Sequence, residues 1–275
     1  MLYSRAEPEV RELVFVGLGL NNENGLSLQG LEETRTADSA FIELYTSLMP
    51  DLSTKHLETL AGKHIAELKR SDIEEKNAQQ VIAAAKKGKT ILLVPGDPLI
   101  ATTHTAIRLE ADKNGIATRI VHAASIISAA IGLSGLHNYK FGKTVTIPFP
   151  DNPSETPYKT ITQNKTLGLH TLCLLDIRTE QKQHLTIDQA LTALLEEEEK
   201  QKQRTVTPQT LAIGIARAGS KNPAVEADSV KNLTRHDFGD LPHTLIFPGK
   251  LHFIEAEALT TFAHAPKNLT EKELQ

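Results

Sequence analysis

A stiff corner between a strand-like and a helix-like segment is the feature that most limits how this chain can fold. An apolar run over residues 91–94 is followed at once by ten residues, PGDPLIATTH, and then by a helical pattern to about Lys113. Two prolines and a glycine within residues 95–98 prevent the backbone from continuing in a sheet ladder. In open α/β sheets small ligands bind at such corners, at the carboxyl ends of strands. This corner therefore predicts an α/β sheet with a ligand site at its edge.

Strand-like and helix-like segments alternate through the first half of the chain. The sequence Ser71-Asp72-Ile73-Glu74 matches a capping box and predicts one helix from there to the stop at Gly88. Apolar runs predict strands over residues 13–20, 40–45, 90–94 and 117–122. Strands that alternate with helices require right-handed crossovers and a mostly parallel sheet.

The second half has a different pattern, which opens with a helix of small residues over 125–135. A second capping box, Thr186 to Gln189, begins a helix with one apolar face, and the acidic run 196–199 predicts a solvated part of it. We expect the polar tail after Pro266 to be frayed. Further elements are a proline-rich loop over residues 148–157, strands over 144–148, 170–176, 211–216 and 244–247, and a helix over 252–262.

Length and composition limit the class of protein. A chain of 275 residues is long enough for about two domains, and the change of pattern predicts an N-terminal α/β domain over residues 1–124 and a C-terminal α/β domain over residues 125–275. A formal net charge of −4 gives no indication of nucleic-acid or anionic-membrane binding. The apolar stretch 123–136 is too short to span a bilayer. The single cysteine, Cys173, excludes an intrachain disulfide and favours a cytoplasmic location.

A glycine pair after the first strand resembles part of a dinucleotide-binding fingerprint. Gly17 and Gly19 fit the pattern, but its third glycine is replaced by Asn22. The second strand offers only Glu43 as the acidic residue that would contact a ribose. A nicotinamide or flavin site is therefore a weak alternative, although two glycines at a strand end still let a ligand approach the backbone.

The sequence contains few motifs for phosphate binding, metal binding or a serine nucleophile. Residues 122–130 and 215–220 form two more corners that are poor in charge, and the first is equally explained by close packing of a helix on a sheet. Such corners suit a neutral or mildly polar cofactor held by backbone groups, whereas a phosphate-binding Gly-x-x-x-x-Gly-Lys loop is missing. The eleven histidines form no His-Glu-x-x-His motif, so no metal site is expected. No Gly-x-Ser-x-Gly elbow is present either.

Taken together, the corners resemble the diphthine synthase family, a branch of the tetrapyrrole-methylase-like methyltransferases. The motif at residues 45–48, YTSL, and the block at residues 135–142, GLHNYKFG, are the most specific parts of the match. The other matching segments are FVGLGL at 15–20, PGDPLIATTH at 95–104, ASI at 124–126, GLHTL at 168–172 with Leu175-Asp176, ARAG at 216–219, and FGD at 238–240 with Pro242-His243.

The resemblance implies two α/β domains of the tetrapyrrole methylase type, with S-adenosyl-L-methionine in the cleft between them, and a homodimer. It assigns neither a metal nor a catalytic residue, and the general base stays unknown. We interpret Asp97 as a residue that orients the cofactor rather than as a base. Carried over by motif, the implied cofactor contacts are Leu20, Asp97, Ile100, Ser125, Ile126, Leu175, Ala216 and His243.

The activity implied is methylation of the 3-carboxy-3-aminopropyl-histidine intermediate of translation elongation factor 2, in diphthamide biosynthesis. Members of archaeal type trimethylate the amine and members of eukaryotic type also methylate the carboxylate; the compact chain favours the archaeal type. Two alternatives stay open: methylation of a tetrapyrrole precursor, and a regulatory module that binds S-adenosyl-L-methionine without catalysis. An oxidoreductase that binds a dinucleotide is a third and weaker one.

Overall fold

The computed structural model describes residues 11–274. The chain divides into two compact units between Ser125 and Ile126, and each unit contains a five-stranded sheet flanked by helices. The α/β fold class is thereby confirmed. Within residues 11–274, no helix combines the length and the apolar character needed to cross a bilayer.

The first unit is built on a parallel sheet with the strand order β3-β2-β4-β1-β5. Its strands are β1 (Glu12–Gly17), β2 (Ser39–Glu43), β3 (Ala66–Leu68), β4 (Lys89–Val94) and β5 (Ala117–Val121). Alternate residues of β1 enter different cores: Leu13 and Phe15 pack on one face of the sheet, and Val14 and Val16 on the other. Burial on both faces explains why β1 and β4 are continuous apolar runs.

The helices of the first unit are α1 (Leu28–Thr36), α2 (Thr54–Ala61), α3 (Arg70–Glu74), α4 (Gln79–Ala85) and α5 (Thr105–Lys113). The single helix expected after Ser71 is wrong, because α3 and α4 are separate. The Asp72 carboxylate accepts the Lys69 N–H at 3.1 Å, so the chain turns into α3 before Ser71. Asn77 and Ala78 then have φ values of 49° and 52°, which end the α3 segment and let a new helix begin.

The second unit is built on a mixed sheet with the strand order β11-β10-β12-β7-β6. The β6–β7 pair is parallel and the other three pairs are antiparallel, so the mostly parallel arrangement expected from the first half does not extend to this sheet. Its strands are β6 (Val145–Ile147), β7 (Thr171–Leu175), β10 (Leu211–Ala216), β11 (Ala224–Ser229) and β12 (His243–Phe247), while β8 (Ile177–Arg178) and β9 (Gln183–His184) form a separate hairpin.

The helices of the second unit are α6 (Ile126–Ser134), α7 (Thr156–Thr166), α8 (Ile187–Gln201), α9 (Val230–Leu233), α10 (Phe253–Phe262) and α11 (Lys267–Thr270). The expectation of a frayed tail is wrong. Leu269 packs in the core, and the Leu251 N–H donates to the Glu273 carbonyl at 2.6 Å, so the segment after Pro266 is anchored.

The acidic run on α8 is also only partly solvated. Glu198 is buried and its carboxylate accepts hydrogen bonds from Tyr158 Oη at 2.8 Å and from the N–H groups of residues 204–206 at 2.7 to 2.9 Å. It therefore fixes the chain that leaves α8. Glu197, in contrast, pairs with the exposed Lys200 at 3.2 Å.

Candidate functional site

The corners after β1 and β4 meet at the carboxyl edge of the parallel sheet. The Gly19 N–H donates to the Gly96 carbonyl at 3.2 Å, and the Gly96 N–H donates to the Gly19 carbonyl at 2.7 Å. Their φ values of 75° and 69° are strained for other residues. Because β1 and β4 are neighbours in the sheet, the two loops that the sequence singles out as ligand corners become one backbone cradle.

Gly17, the last residue of β1, lies beneath this cradle. A Cβ atom added there would lie 2.6 Å from the Gly96 carbonyl oxygen and 2.7 Å from Ala123 Cβ. Both distances are far shorter than van der Waals contact. The absence of a side chain at position 17 is therefore what lets the loops after β4 and β5 close over the end of β1.

We expect Gly17→Ala to lower the free energy of unfolding by about 1–3 kcal/mol, the usual cost of overpacking, because backbone must move to admit the methyl group. Chemical denaturation measures this. The matched control is Gly132→Ala, at a helical position with open space around its Cβ, where alanine should be neutral or stabilising. Equal effects at both positions would contradict the close approach described for Gly17.

Asp97 connects two loops of the first unit. Its side chain is buried, and Oδ2 accepts from His122 Nδ1 at 2.7 Å and from the Ala123 N–H at 3.4 Å. Oδ1 accepts from the Leu99 N–H at 3.4 Å. The carboxylate thus joins the loop after β4 to the segment after β5.

The loop beyond Asp97 presents an apolar side chain. The Ile100 N–H donates to the Asp97 carbonyl at 3.2 Å, and 38% of Ile100 is exposed. Ala101 follows with φ of 55°, a conformation that alanine seldom adopts. Backbone strain of this kind concentrates at ligand sites. Leu20, the remaining predicted contact on the β1 loop, is half-buried.

Three predicted contacts of the second unit lie side by side on neighbouring strands. Ala216, which ends β10, pairs with His243, which begins β12. On the other side of β12, Thr244 pairs with Leu174 of β7, so that Leu175 is adjacent to His243. The register of the sheet therefore brings Leu175, His243 and Ala216 together at one end, although they are distant in sequence.

The His243 imidazole is held by hydrogen bonds on both nitrogens. Nε2 donates to the Gly239 carbonyl at 3.2 Å, and Nδ1 accepts the Ile187 N–H at 3.4 Å. Burial lowers the pKa of His243, which favours the neutral ring. With both nitrogens used, the His243 ring positions the start of α8 and the loop before β12.

Arg217 is a residue of this region whose role the sequence does not indicate. It has a φ of 52°, and its guanidinium donates to the carbonyls of Phe238 and Asp240 at 2.7 and 3.0 Å. Its own N–H donates to the Pro242 carbonyl at 2.9 Å. Arg217 thus holds the loop that leads into His243. In the sequence, Arg217 is marked only by its place after a strand end and before Ala218-Gly219.

Ser125 and Ile126, the two remaining predicted contacts, are adjacent in sequence but belong to different units. Ser125 is buried and ends the first unit. Ile126 begins α6 and is half-buried against the core of the second unit.

The block at residues 135–142 is organised by Glu255, which the sequence does not single out. The buried Glu255 carboxylate accepts from the His137 N–H at 2.8 Å, from Lys140 Nζ at 2.6 Å and from His170 Nε2 at 2.9 Å. Burial opposes ionisation, but these hydrogen bonds and one from the His252 N–H lower the pKa of Glu255 to about 2. The cluster lies at the amino end of β7, opposite Leu175, so this family-specific block has a structural role away from the predicted contacts.

Metal and dinucleotide chemistry find no support in the geometry. Across residues 11–274, no three His, Cys, Asp or Glu side chains are arranged to hold a metal ion. Burial raises the pKa of Cys173, which keeps the thiol protonated and unreactive. Asn22 caps a short 3-10 turn rather than a helix that could receive a pyrophosphate, and Glu43 is fully buried and inaccessible to a ribose.

Comparisons with known proteins agree on one family. Residues 12–234 match the family described as Tetrapyrrole (Corrin/Porphyrin) Methylases. A diphthine synthase of Methanosarcina acetivorans is 44% identical over 94% of this chain and 99% of its own length. One of Archaeoglobus fulgidus is 44% identical over 94% and 98%. A crystal structure of diphthine synthase superposes with a TM-score of 0.86 at 43% identity, covering 94% of this chain and 98% of that one.

Proposed function

Because the chain belongs to the diphthine synthases, within the tetrapyrrole methylases, we propose that it methylates the 3-carboxy-3-aminopropyl-histidine intermediate of translation elongation factor 2. Membership makes it an S-adenosyl-L-methionine-dependent methyltransferase of diphthamide biosynthesis. The further proposal is that it trimethylates the amino group to give diphthine. The observation that supports both proposals is the sequence identity of 43–46% to archaeal diphthine synthases over more than nine tenths of the chain.

The proposed donor contacts are the eight residues implied by motif: Leu20, Asp97, Ile100, Ser125, Ile126, Leu175, Ala216 and His243. Their environment supports this choice. The Gly19–Gly96 cradle offers main-chain groups, Ile100 offers apolar surface, and Asp97 is the one acidic residue among them. Such a set suits a ligand with a neutral nucleoside and a single cationic centre better than it suits a polyphosphate.

The bound donor supplies an activated methyl group, whose transfer removes the positive charge from sulfur. The chain therefore has to align donor and acceptor and to exclude water rather than supply a strong acid or base. The rigid loop contacts of Asp97 and of the glycine cradle serve alignment. Each successive methylation requires the acceptor amine to lose a proton, and we assign no residue to that step.

Partners and location follow from the same assignment. We propose that elongation factor 2 is the protein substrate, that the enzyme works as a homodimer, and that it acts in the cytoplasm, where translation factors function. Neither nucleic acid nor a membrane surface is a proposed partner, in line with the net charge of −4.

The test is incubation of the protein with labelled S-adenosyl-L-methionine and elongation factor 2 that carries the aminocarboxypropyl-histidine. Mass spectrometry of the modified peptide should show three added methyl groups on the amine. Elongation factor with unmodified histidine is the control and should gain none. Methylation of a corrin precursor without any methylation of the elongation factor would instead support the tetrapyrrole alternative.

A further inference from the structure

Glu43 is a completely buried carboxylate at the end of β2, beside the donor loops of the first unit. Oε2 accepts the N–H groups of Tyr45 and Thr46 at 3.0 and 3.1 Å, and Oε1 accepts Thr46 Oγ1 at 2.5 Å. These bonds shape the turn at residues 45–48, which carries the family-specific sequence YTSL. Glu43 therefore determines the conformation of this turn.

His104 ends the loop that carries Asp97 and Ile100, and its ring is also completely buried. Nδ1 lies 3.1 Å from the Pro98 carbonyl oxygen. A carbonyl only accepts, so Nδ1 must carry a hydrogen, and in a neutral ring Nε2 is then a bare acceptor. Nε2 is buried without a hydrogen-bond partner and lies 3.7 Å from Glu43 Oε1.

Two acceptors that face each other in a buried site repel unless a proton lies between them. We propose that Glu43 and His104 share one proton, and that this bond fastens the turn at residues 45–48 to the loop at residues 96–104. A side-chain displacement of less than 1 Å brings the two atoms within hydrogen-bond distance. Both residues are positioning residues, since they act through the loop that carries Asp97 and Ile100. Their effect on the donor rests on the proposed function; the shared proton itself does not.

The electrostatic surroundings favour a pair with no net charge. Burial raises the pKa of Glu43 to about 7 and lowers the pKa of His104. Glu74 of α3 adds to the rise in the pKa of Glu43 and partly offsets the fall in the pKa of His104. Arg70 of the same helix pairs with Glu74 at 2.7 Å. Burial also raises the pKa of the neighbouring Tyr45 phenol, which stays neutral. One proton on the pair keeps either partner from being a buried, uncompensated charge.

The sign of the pH dependence follows from the raised pKa of Glu43. Between its unfolded value of 4.5 and its folded value of about 7, the folded state holds a proton that the unfolded state releases. Stability from this proton is present below pH 4.5 and is lost as the pH rises through about 7. Donor affinity should fall over the upper part of this window, because the loop at residues 96–104 loses its attachment.

The decisive variant is Glu43→Gln. Its amide oxygen can still accept the N–H groups of Tyr45 and Thr46, while its NH₂ group donates permanently towards His104 Nε2. Isothermal calorimetry gives the donor Kd at about pH 6 and about pH 9 for the wild type and the variant. We expect the ratio of wild-type to variant Kd to rise about tenfold between the two values, since coupled protonation changes Kd by up to about tenfold per pH unit. The donor's own titration cancels in this ratio.

Glu198→Gln is the matched control, because it removes another buried carboxylate, far along the chain in the second unit. Its donor Kd should follow the wild-type pH dependence. A ratio for Glu43→Gln that stays constant with pH would overturn the proposal, as would the same change for Glu198→Gln.

A second readout separates this proposal from the proposed function. The melting temperature of the wild type relative to Glu43→Gln should fall from about pH 5 to about pH 8, whether or not a donor binds. If no donor binds at any pH, the proposed function fails. The melting curves alone then test whether Glu43 and His104 share a proton. Parallel curves for the two proteins would then overturn it.

Discussion

Replacing Asp97 with alanine is expected to weaken S-adenosyl-L-methionine binding by about 100-fold, or about 3 kcal/mol, through loss of the link between two loops. The variant removes the acceptor of His122 Nδ1 and of the Ala123 and Leu99 N–H groups. His122 is exposed and Ala123 and Leu99 are half-buried, so the cost comes from the lost bonds rather than from stranded buried donors. Hydrogen bonds to a carboxylate contribute about 1.5–3 kcal/mol. Both loops would relax, and the donor would have to reorder them on binding.

Calorimetric titration with S-adenosyl-L-methionine measures this loss. Asp151→Ala is the matched control, because Asp151 is an exposed aspartate that pairs with Arg178 in the second unit. It should leave the Kd within about twofold, as surface ion pairs contribute little. Unchanged affinity in a folded Asp97→Ala protein would remove Asp97 from the donor site.

The orienting role of Asp97 has a separate test in Asp97→Asn. A residue that orients the donor should affect binding first, and the rate should keep its pH dependence. If Asp97→Asn bound the donor normally and lost one limb of the pH–rate profile, Asp97 would act as a base.

Glu255→Ala should be the most destabilising single change, at about 3–5 kcal/mol in the free energy of unfolding. The substitution removes the acceptor of Lys140 Nζ, His170 Nε2 and two backbone N–H groups. Lys140 would remain largely enclosed without its counter-ion, with only the Lys250 carbonyl as acceptor, and removing one partner is the costly way to break a buried ion pair. Urea denaturation measures the difference.

Glu257→Ala provides the control on the same helix, because Glu257 is exposed. It should change stability by no more than about 0.5 kcal/mol. Since the pKa of Glu255 is lowered from 4.5 to about 2, its contribution is present above pH 4.5 and is lost as the pH falls towards 2. A Glu255→Ala deficit that stayed constant with acidification would contradict an ionised Glu255.

Local patterns account for much of the fold. The apolar runs that form β1, β4, β10 and β12 are predictable because these strands are buried on both faces, and the Thr186 capping box correctly starts α8. Elements with weaker patterns are not predictable in this way. No sequence pattern predicts strands β3 and β11 or helices α2 and α7. Their burial is partial and depends on neighbours distant in the chain.

The candidate site likewise has parts that the sequence predicts and parts that it does not. The bends at residues 95–104 and 17–19 are predictable from the sequence, because prolines and glycines constrain the backbone locally. Arg217 and Glu255 are not, because a single arginine or glutamate acquires its partners only when remote segments meet. His104 likewise has a hydrogen-bond partner at only one ring nitrogen, which the local sequence does not indicate.

The sequence by itself determined the α/β class, the family and the corners at which a ligand can approach, since all of these rest on local backbone preferences and contiguous motifs. Only the tertiary structure decided that Gly96 pairs with Gly19, that Leu175, His243 and Ala216 become neighbours, and that Glu43 faces His104. Strand order and register are set by the packing of whole elements. The free energy of that packing is shared among many residues far apart in the chain, and no short segment contains it.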